Sequence, residues 1–233
     1  MRVRMTSTAG RGAKGHSFRT LVVLLRRTLA RGWGVRAARL YAGLLSVGVM
    51  TAIALSARGL GANDTSLSLV ARWAAMLVWI PGALCALALA KPPRDTGLAQ
   101  GIAVLAGAHG FDARRFARAE TMATVRLLAE VILVPLLVIG LFVFAIFARG
   151  GLVGIARPLA GTILFGSVAA LVLGLTASVC RSWGGARGRW WLAGSILGPW
   201  LFAEIALSGH VSAYASIPGL LGCLWDAVAA VPA

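Results

Sequence analysis

Of 233 residues, 59% are hydrophobic and 13% are charged, against about 45–50% apolar and about 25% charged in a soluble domain. A formal net charge of +16 can mark a nucleic-acid binder, but here the basic residues flank long apolar runs, where they set topology and meet anionic lipid head groups. A soluble core and a nucleic-acid partner are both excluded on that ground.

The chain opens on a basic arm. Met1–His16 reads as a flexible tail near the inner leaflet. Residues 17–39 read as an interfacial segment whose helical part is Ser17–Arg31. Phe18, Leu21, Val22, Leu25 and Leu29 follow helical spacing, Arg19, Arg26, Arg27 and Arg31 fall mostly elsewhere on the wheel, and Ser17 is a suitable N-cap. The expectation is an amphipathic helix with its leucines in the acyl boundary and its arginines on phosphates. The same pattern also suits a helix packed on a protein surface.

Residues 40–233 read as a single transmembrane domain. Six apolar runs, Leu40–Ala57, Leu69–Ala90, Leu127–Ala148, Pro158–Cys180, Trp190–Leu207 and Val211–Val231, are each close to the ~20 residues needed to cross a core of about 30 Å. Ten of the 23 basic residues precede the first run, six lie between the second and third, and three between the fourth and fifth. Only Arg58, Arg72, Arg149 and Arg157 fall on the opposite side. Inner loops retain Lys and Arg, so both termini are expected in the cytoplasm. The fold class predicted is all-α and integral to the membrane, with six spans.

The outward loops, including Arg58–Ser68 and Arg149–Arg157, are short. The inner loop Lys91–Arg126 is long, and Lys91-Pro-Pro-Arg94 ends the second span because proline lacks the N–H to continue a helix. Asp95 and Thr96 can then cap a short helix over Gly97–Ala108, with Leu98, Ile102 and Leu105 on one face. It stops at His109-Gly110, and a second helix begins near Asp112 and runs into the third span. Trp33, Tyr41, Trp73, Trp183, Trp190 and Trp191 mark the interfaces, while Trp79, Trp200 and Trp225 lie deeper as packing groups. Gly198-Pro199 is expected to break or kink the fifth span. Residues 209–233, with Pro218-Gly219, read as one span or a pair of half-helices.

Chemistry-bearing patterns are sparse. There is no phosphate-binding Gly-x-x-x-x-Gly-Lys loop and no His-Glu-x-x-His pair. The three histidines are scattered, and Cys85, Cys180 and Cys223 have no metal-binding or disulfide spacing. No catalytic, cofactor-binding or metal-binding residue is assigned, and the chain is not expected to be an enzyme. Three acids fall inside runs, where ionisable groups point to function or to ion pairs. Glu130 lies one turn into the third, with Arg126 as a local partner at i−4. Glu204 follows the Gly198-Pro199 break, and Asp226 lies near the end of the sixth.

This organisation resembles the type-2 ATP-binding cassette exporter permeases. The resemblance is carried by the interfacial Phe18–Arg31, by Arg94-Asp-Thr-Gly-Leu-Ala-Gln100, by Ile102-Ala-Val-Leu-Ala-Gly107 and by the helix from Asp112. Gly110 stands where many members carry proline. In size, and in the turn Leu173-Gly-Leu-Thr-Ala-Ser-Val-Cys-Arg181 before Gly184-Gly185, the chain is similar to the permease subunit of the haem exporters of cytochrome c maturation. The resemblance implies a coupling helix that docks on a separate ATPase through Leu98, Gln100, Ile102, Leu105 and His109. It implies a second permease chain, as a homodimer or heterodimer. ATP and Mg would be held on the ATPase partner, with no cofactor in this chain. It also implies a bacterial inner (plasma) membrane location and an amphipathic or lipidic substrate. Two other readings fit the residues: a membrane scaffold or assembly subunit that transports nothing, and an integral enzyme built on Glu204, Asp226 and His210.

Overall fold

The computed structural model describes residues 9–59, 78–91, 96–108, 110–147 and 152–206, and among them every regular element is helical. We label them α1 (Ala9–Ala30), α2 (Trp33–Gly59), α3 (described over Val78–Leu89), α4 (Thr96–Ala108), α5 (Ala113–Phe147), α6 (Leu152–Gly184) and α7 (Gly188–Ala206). A single 3-10 turn, Gly185–Arg187, joins α6 to α7.

Among the described residues, three helices are long and apolar enough to cross a bilayer: Trp33–Leu55, Ala113–Phe142 and Leu159–Gly184. Their outward faces carry Leu44 and Val47 on α2, Val134 and Leu141 on α5, and Leu171 and Leu175 on α6, all exposed. Such faces suit hydrocarbon and not water, and they mark a membrane protein. The second expected run, Leu69–Ala90, is described from Val78 and is apolar over Val78–Leu89. α7 occupies most of the fifth, and the sixth, Val211–Val231, lies outside the described residues.

Local sequence signals set several helix ends. The Oδ1 of Asp112 accepts the N–H of Arg115 at 2.7 Å, an N-cap that starts α5. α4 ends in a left-handed glycine: Gly110 has φ +74, its N–H reaches Gly107 O, and the N–H of Phe111 reaches Ala106 O. This paired closure satisfies two of the last carbonyls of α4. α6 begins at Leu152, inside the segment expected to be the outer loop Arg149–Arg157, so Arg157 is helical. Gly198 and Pro199, expected to interrupt the fifth span, lie inside α7, and the α-helix continues past them to Ala206.

Helices α5 and α6 form the spine. At 35 residues, α5 is about 52 Å long, well beyond the ~30 Å of a hydrocarbon core. Thr121 meets Ser178, and α5 side chains at Val125, Leu133 and Leu136 close on Gly174 and Gly166. Leu159 closes on Gly140 in the same way. Each step along α5 is matched by an equal step back along α6. Between Thr121 and Gly140 this antiparallel register holds over about 29 Å. Around the spine a core forms from Leu127, Leu128, Ile132 and Leu136 of α5, Leu173 of α6, Leu192 of α7, and Val78 and Cys85 of α3. Trp79 packs against this core, in line with its sequence reading.

Small residues permit the close approach, as is usual between membrane helices. A Cβ on Gly174 would stand 2.6 Å from Val125 Cγ2 and 3.0 Å from its Cα. Nothing lies within 4 Å of the same atom on Gly194, in α7. Gly174→Ala is therefore expected to force α5 and α6 apart and destabilise by about 1–3 kcal/mol, with Gly194→Ala neutral or mildly stabilising. Thermal unfolding of the two variants in detergent checks the contrast.

Candidate functional site

The described charged side chains gather at one end of the bundle. There α3 ends, α5 begins and α6 turns into α7, and α1 and α4 pack on the same end. This end carries most of the Lys and Arg among the described residues.

The α6 arginine Arg181 organises it. Its side chain is buried, with 8% of the residue's surface exposed. One guanidinium nitrogen donates to Leu89 O at 3.2 Å, and the other to Thr124 Oγ1 at 3.2 Å. The second nitrogen also pairs with Glu120 Oε1 at 3.2 Å. Thr124 donates its own hydroxyl hydrogen to Glu120 O at 2.9 Å, which leaves a lone pair for the arginine. Leu89 lies at the last turn of α3, where carbonyls lack helical partners and the helix dipole is negative. One side chain therefore ties the ends of α3, α5 and α6 together. Beside it, Thr121 donates to Ala117 O and lies 2.7 Å from Ser178 Oγ, so Ser178 supplies the hydrogen between them.

A second charged node holds α1 and α2. Glu130 receives Arg26 Nε of α1 at 2.8 Å on Oε1 and Arg39 Nη2 of α2 at 3.1 Å on Oε2. The expected local partner, Arg126, is not the one that binds it: both oxygens are taken by arginines distant in sequence. Glu130 is thus a structural tether between three helices.

Its location explains a further departure. The apolar face of α1 does not lie open to acyl chains. Leu21, Val22 and Leu25 are buried against Ala119 and Ala123 of α5 and Ala106 of α4, with Phe18, Ile102, Phe111 and Phe116 around them. The chain itself supplies the surface that this amphipathic helix covers.

α4 rests on α1 and α5 through Ala106 and Ile102. Ile102, expected on a docking face, is instead half-buried in this contact. Leu105, the other described member of that set, is 61% exposed, and its neighbour Val104 is 71% exposed. The side chains of Leu98 and Gln100 and all of His109 lie outside the described residues. So do the side chain of Glu204, whose backbone sits in α7, and all of Asp226 and His210. The described structure therefore brings together Glu130, Ile102 and Leu105 at one end, and joins to them Arg181, Glu120 and Arg39, which sequence reasoning had not singled out. Among the described residues, no three His, Cys, Asp or Glu side chains converge to hold a metal ion. Cys85 is buried, Cys180 is half-buried, and neither is in a disulfide.

Compared with known proteins, the chain matches no family model, no curated protein and no solved structure.

Two tests follow from the nodes. Removing one partner of a buried ion pair strands a charge, at a cost of up to about 3–5 kcal/mol. Glu120→Ala is expected to destabilise by about 2–3 kcal/mol, at or below the lower end of that range, because Arg181 keeps its hydroxyl and carbonyl partners and Glu120 is partly exposed. Adding Arg181→Met should recover at least half of the loss, and a double-mutant cycle on unfolding measures it. The Glu130 pairs are more exposed and individually worth less, about 0–1 kcal/mol each. Glu130→Ala should therefore raise hydrogen exchange at α1 amides by roughly fivefold while leaving the α6 amides unchanged.

Proposed function

We propose that this chain is the membrane-spanning permease subunit of an ATP-binding cassette transporter, and that α4 is the element by which a separate ATPase subunit moves it. The observation that carries this reading is α4 itself. It is a short apolar helix, fixed from behind by α1 and α5, that presents Val104 and Leu105 outward at the basic end of a membrane bundle. Spanning does not require such a helix, and the charge distribution does not explain it. Exposed apolar side chains on a rigid seat are what a protein partner would cover.

The same geometry supplies a lever. About 14 residues of α5 precede the apolar run at Leu127, which projects α5 by roughly 20 Å. That segment is gripped by α1 through Ala119 and Ala123 and by α6 through Arg181. A push on α4 would be delivered to α5 and α6 as a unit, because packed elements shift between discrete arrangements and do not flow.

On this reading the partner holds ATP and Mg and performs hydrolysis. A second permease chain completes the pathway, the remaining expected spans complete a six-span domain with both termini cytoplasmic, and the membrane is a bacterial inner membrane. The lipid-facing sides and the scarcity of intramembrane charge favour an amphipathic or lipidic substrate that is exported.

The paired substitution Val104→Asp with Leu105→Asp tests this. It adds charge where the partner would sit and leaves Ile102 and Ala106 seated. Co-purification with the ATPase and substrate-stimulated ATP hydrolysis should each fall on the order of tenfold, with the helical content unchanged. Undiminished coupling would remove α4 as the docking element. ATPase binding without any transport in reconstituted vesicles would favour the scaffold reading.

A further inference from the structure

The turn between α6 and α7 gathers interfacial tryptophans and basic residues in one place. Trp183, Trp190 and Trp191 are 88%, 67% and 65% exposed within about two helical turns of one another. Large indoles left this open are unusual unless something apolar and wet meets them. Arg187 and Arg189 are exposed in the same turn, and the Arg189 guanidinium sits 5.1 Å over the Trp190 ring.

A third cation joins them from a distant part of the chain. Gly188 lies so close to Ala90 O of α3 and to Cys180 O of α6 that a Cβ has no room. This contact brings the backbone at Lys91, the residue after Ala90, next to Gly188, which Arg187 and Arg189 flank. The turn itself is tight: Gly185 holds φ +48, which disfavours a side chain, and a Cβ on Gly184 would stand 2.9 Å from Trp191. No described acid pairs with Lys91, Arg187 or Arg189. Glu120, near this end, is engaged by the buried Arg181.

Depth agrees with a lipid occupant. The apolar part of α5 from Leu127 to Phe147 is about 30 Å long, the thickness of a hydrocarbon core, and Glu120 lies about 10 Å before it. The layer at Glu120 and Arg181 therefore lies just beyond the apolar stretch, and the turn follows Arg181 directly. Indoles there match the interface, and three cations match phosphate.

We propose that Lys91, Arg187 and Arg189 form a binding site for the phosphate of an anionic phospholipid, with Trp183, Trp190 and Trp191 as its interfacial walls. The site anchors the α3 end and the α6–α7 turn at the membrane surface. Arg189 stacks on Trp190 and so is pre-positioned for the head group.

The full chain is reconstituted in vesicles of phosphatidylglycerol and phosphatidylcholine, extracted in mild detergent and weighed by native mass spectrometry to count retained lipid. Wild type should retain phosphatidylglycerol in preference to phosphatidylcholine. Each removed charge should weaken retention by about fivefold, and Lys91→Ala/Arg187→Ala/Arg189→Ala together by on the order of a hundredfold. The equally charged control Arg114→Ala/Arg115→Ala/Arg118→Ala should retain it like wild type. Arg187→Lys with Arg189→Lys keeps the charge and guards against misfolding, so it should retain most of the lipid. Equal retention by the first triple variant, or no preference for the anionic lipid in wild type, overturns the proposal. Loss of a co-purifying protein with lipid retention unchanged would assign the patch to that protein and overturn it as well.

Discussion

A guanidinium removed from water is tolerated only when its donors are met, and Arg181 meets its own with groups from three places in the chain. Leu89 O closes the end of α3, Thr124 and Glu120 face it from α5, and α6 carries it. Because each contact needs the others in position, the ends of α3, α5 and α6 cannot slide past one another without stranding a buried charge. Other contacts at this end agree with that layer. Gly188, at the start of α7, packs against the carbonyls of Ala90 and Cys180. The antiparallel spine continues the same register through the pairing of Thr121 with Ser178 and of Val125 with Gly174.

From that fixed layer the outer parts follow by ordinary packing. α1 covers the projecting half of α5, and its arginine Arg26 joins Arg39 of α2 on the two oxygens of Glu130. α4 then has a wall to lean on, and its inward Ile102 and Ala106 leave Val104 and Leu105 outside. A helix of 13 residues is marginal alone; here tertiary contact and the left-handed closure at Gly110 hold it. On the proposed reading such an element passes a push to α5 through that contact while its outer side stays reachable by a partner.

Much of this was legible from residues alone. Runs of apolar side chains predicted helices where α2, α5, α6 and α7 stand, and the Asp112 cap and the Gly110 stop stand where turn chemistry puts them. However, α2 and α6 begin ahead of their runs, at Trp33 and Leu152, and α1 begins at Ala9, which puts Ser17 inside the helix and not at its cap. What was not legible depends on distance in the chain. Arg181 read as one more topology charge, because its partners at Leu89 and Glu120 are remote in sequence and one of them is a backbone carbonyl. The i, i+4 spacing of Glu120 and Thr124 was the available signal, two polar groups on one face just before an apolar run. Glu130 was given Arg126 for the same reason: helical proximity is visible in a sequence, and the convergence of α1 and α2 is not. The apolar face of α1 was visible as a face, but whether acyl chains or protein covers it is decided by the alanines at Ala119 and Ala123, which leave room for a helix to approach. Ile102 and Leu105 share a helical face by spacing, yet the turn of α4 on its seat buries one and exposes the other.

The central claim is that α4 is held by its own chain on one side and by an ATPase on the other. A photoactivatable residue placed at Val104, in native membranes containing the whole complex, addresses it most directly, with the same residue at the outward-facing Leu44 of α2 as reference. The account predicts a crosslink from position 104 to a nucleotide-binding subunit and none from position 44. A crosslink from position 104 to lipid alone, or to another part of this chain, would contradict it.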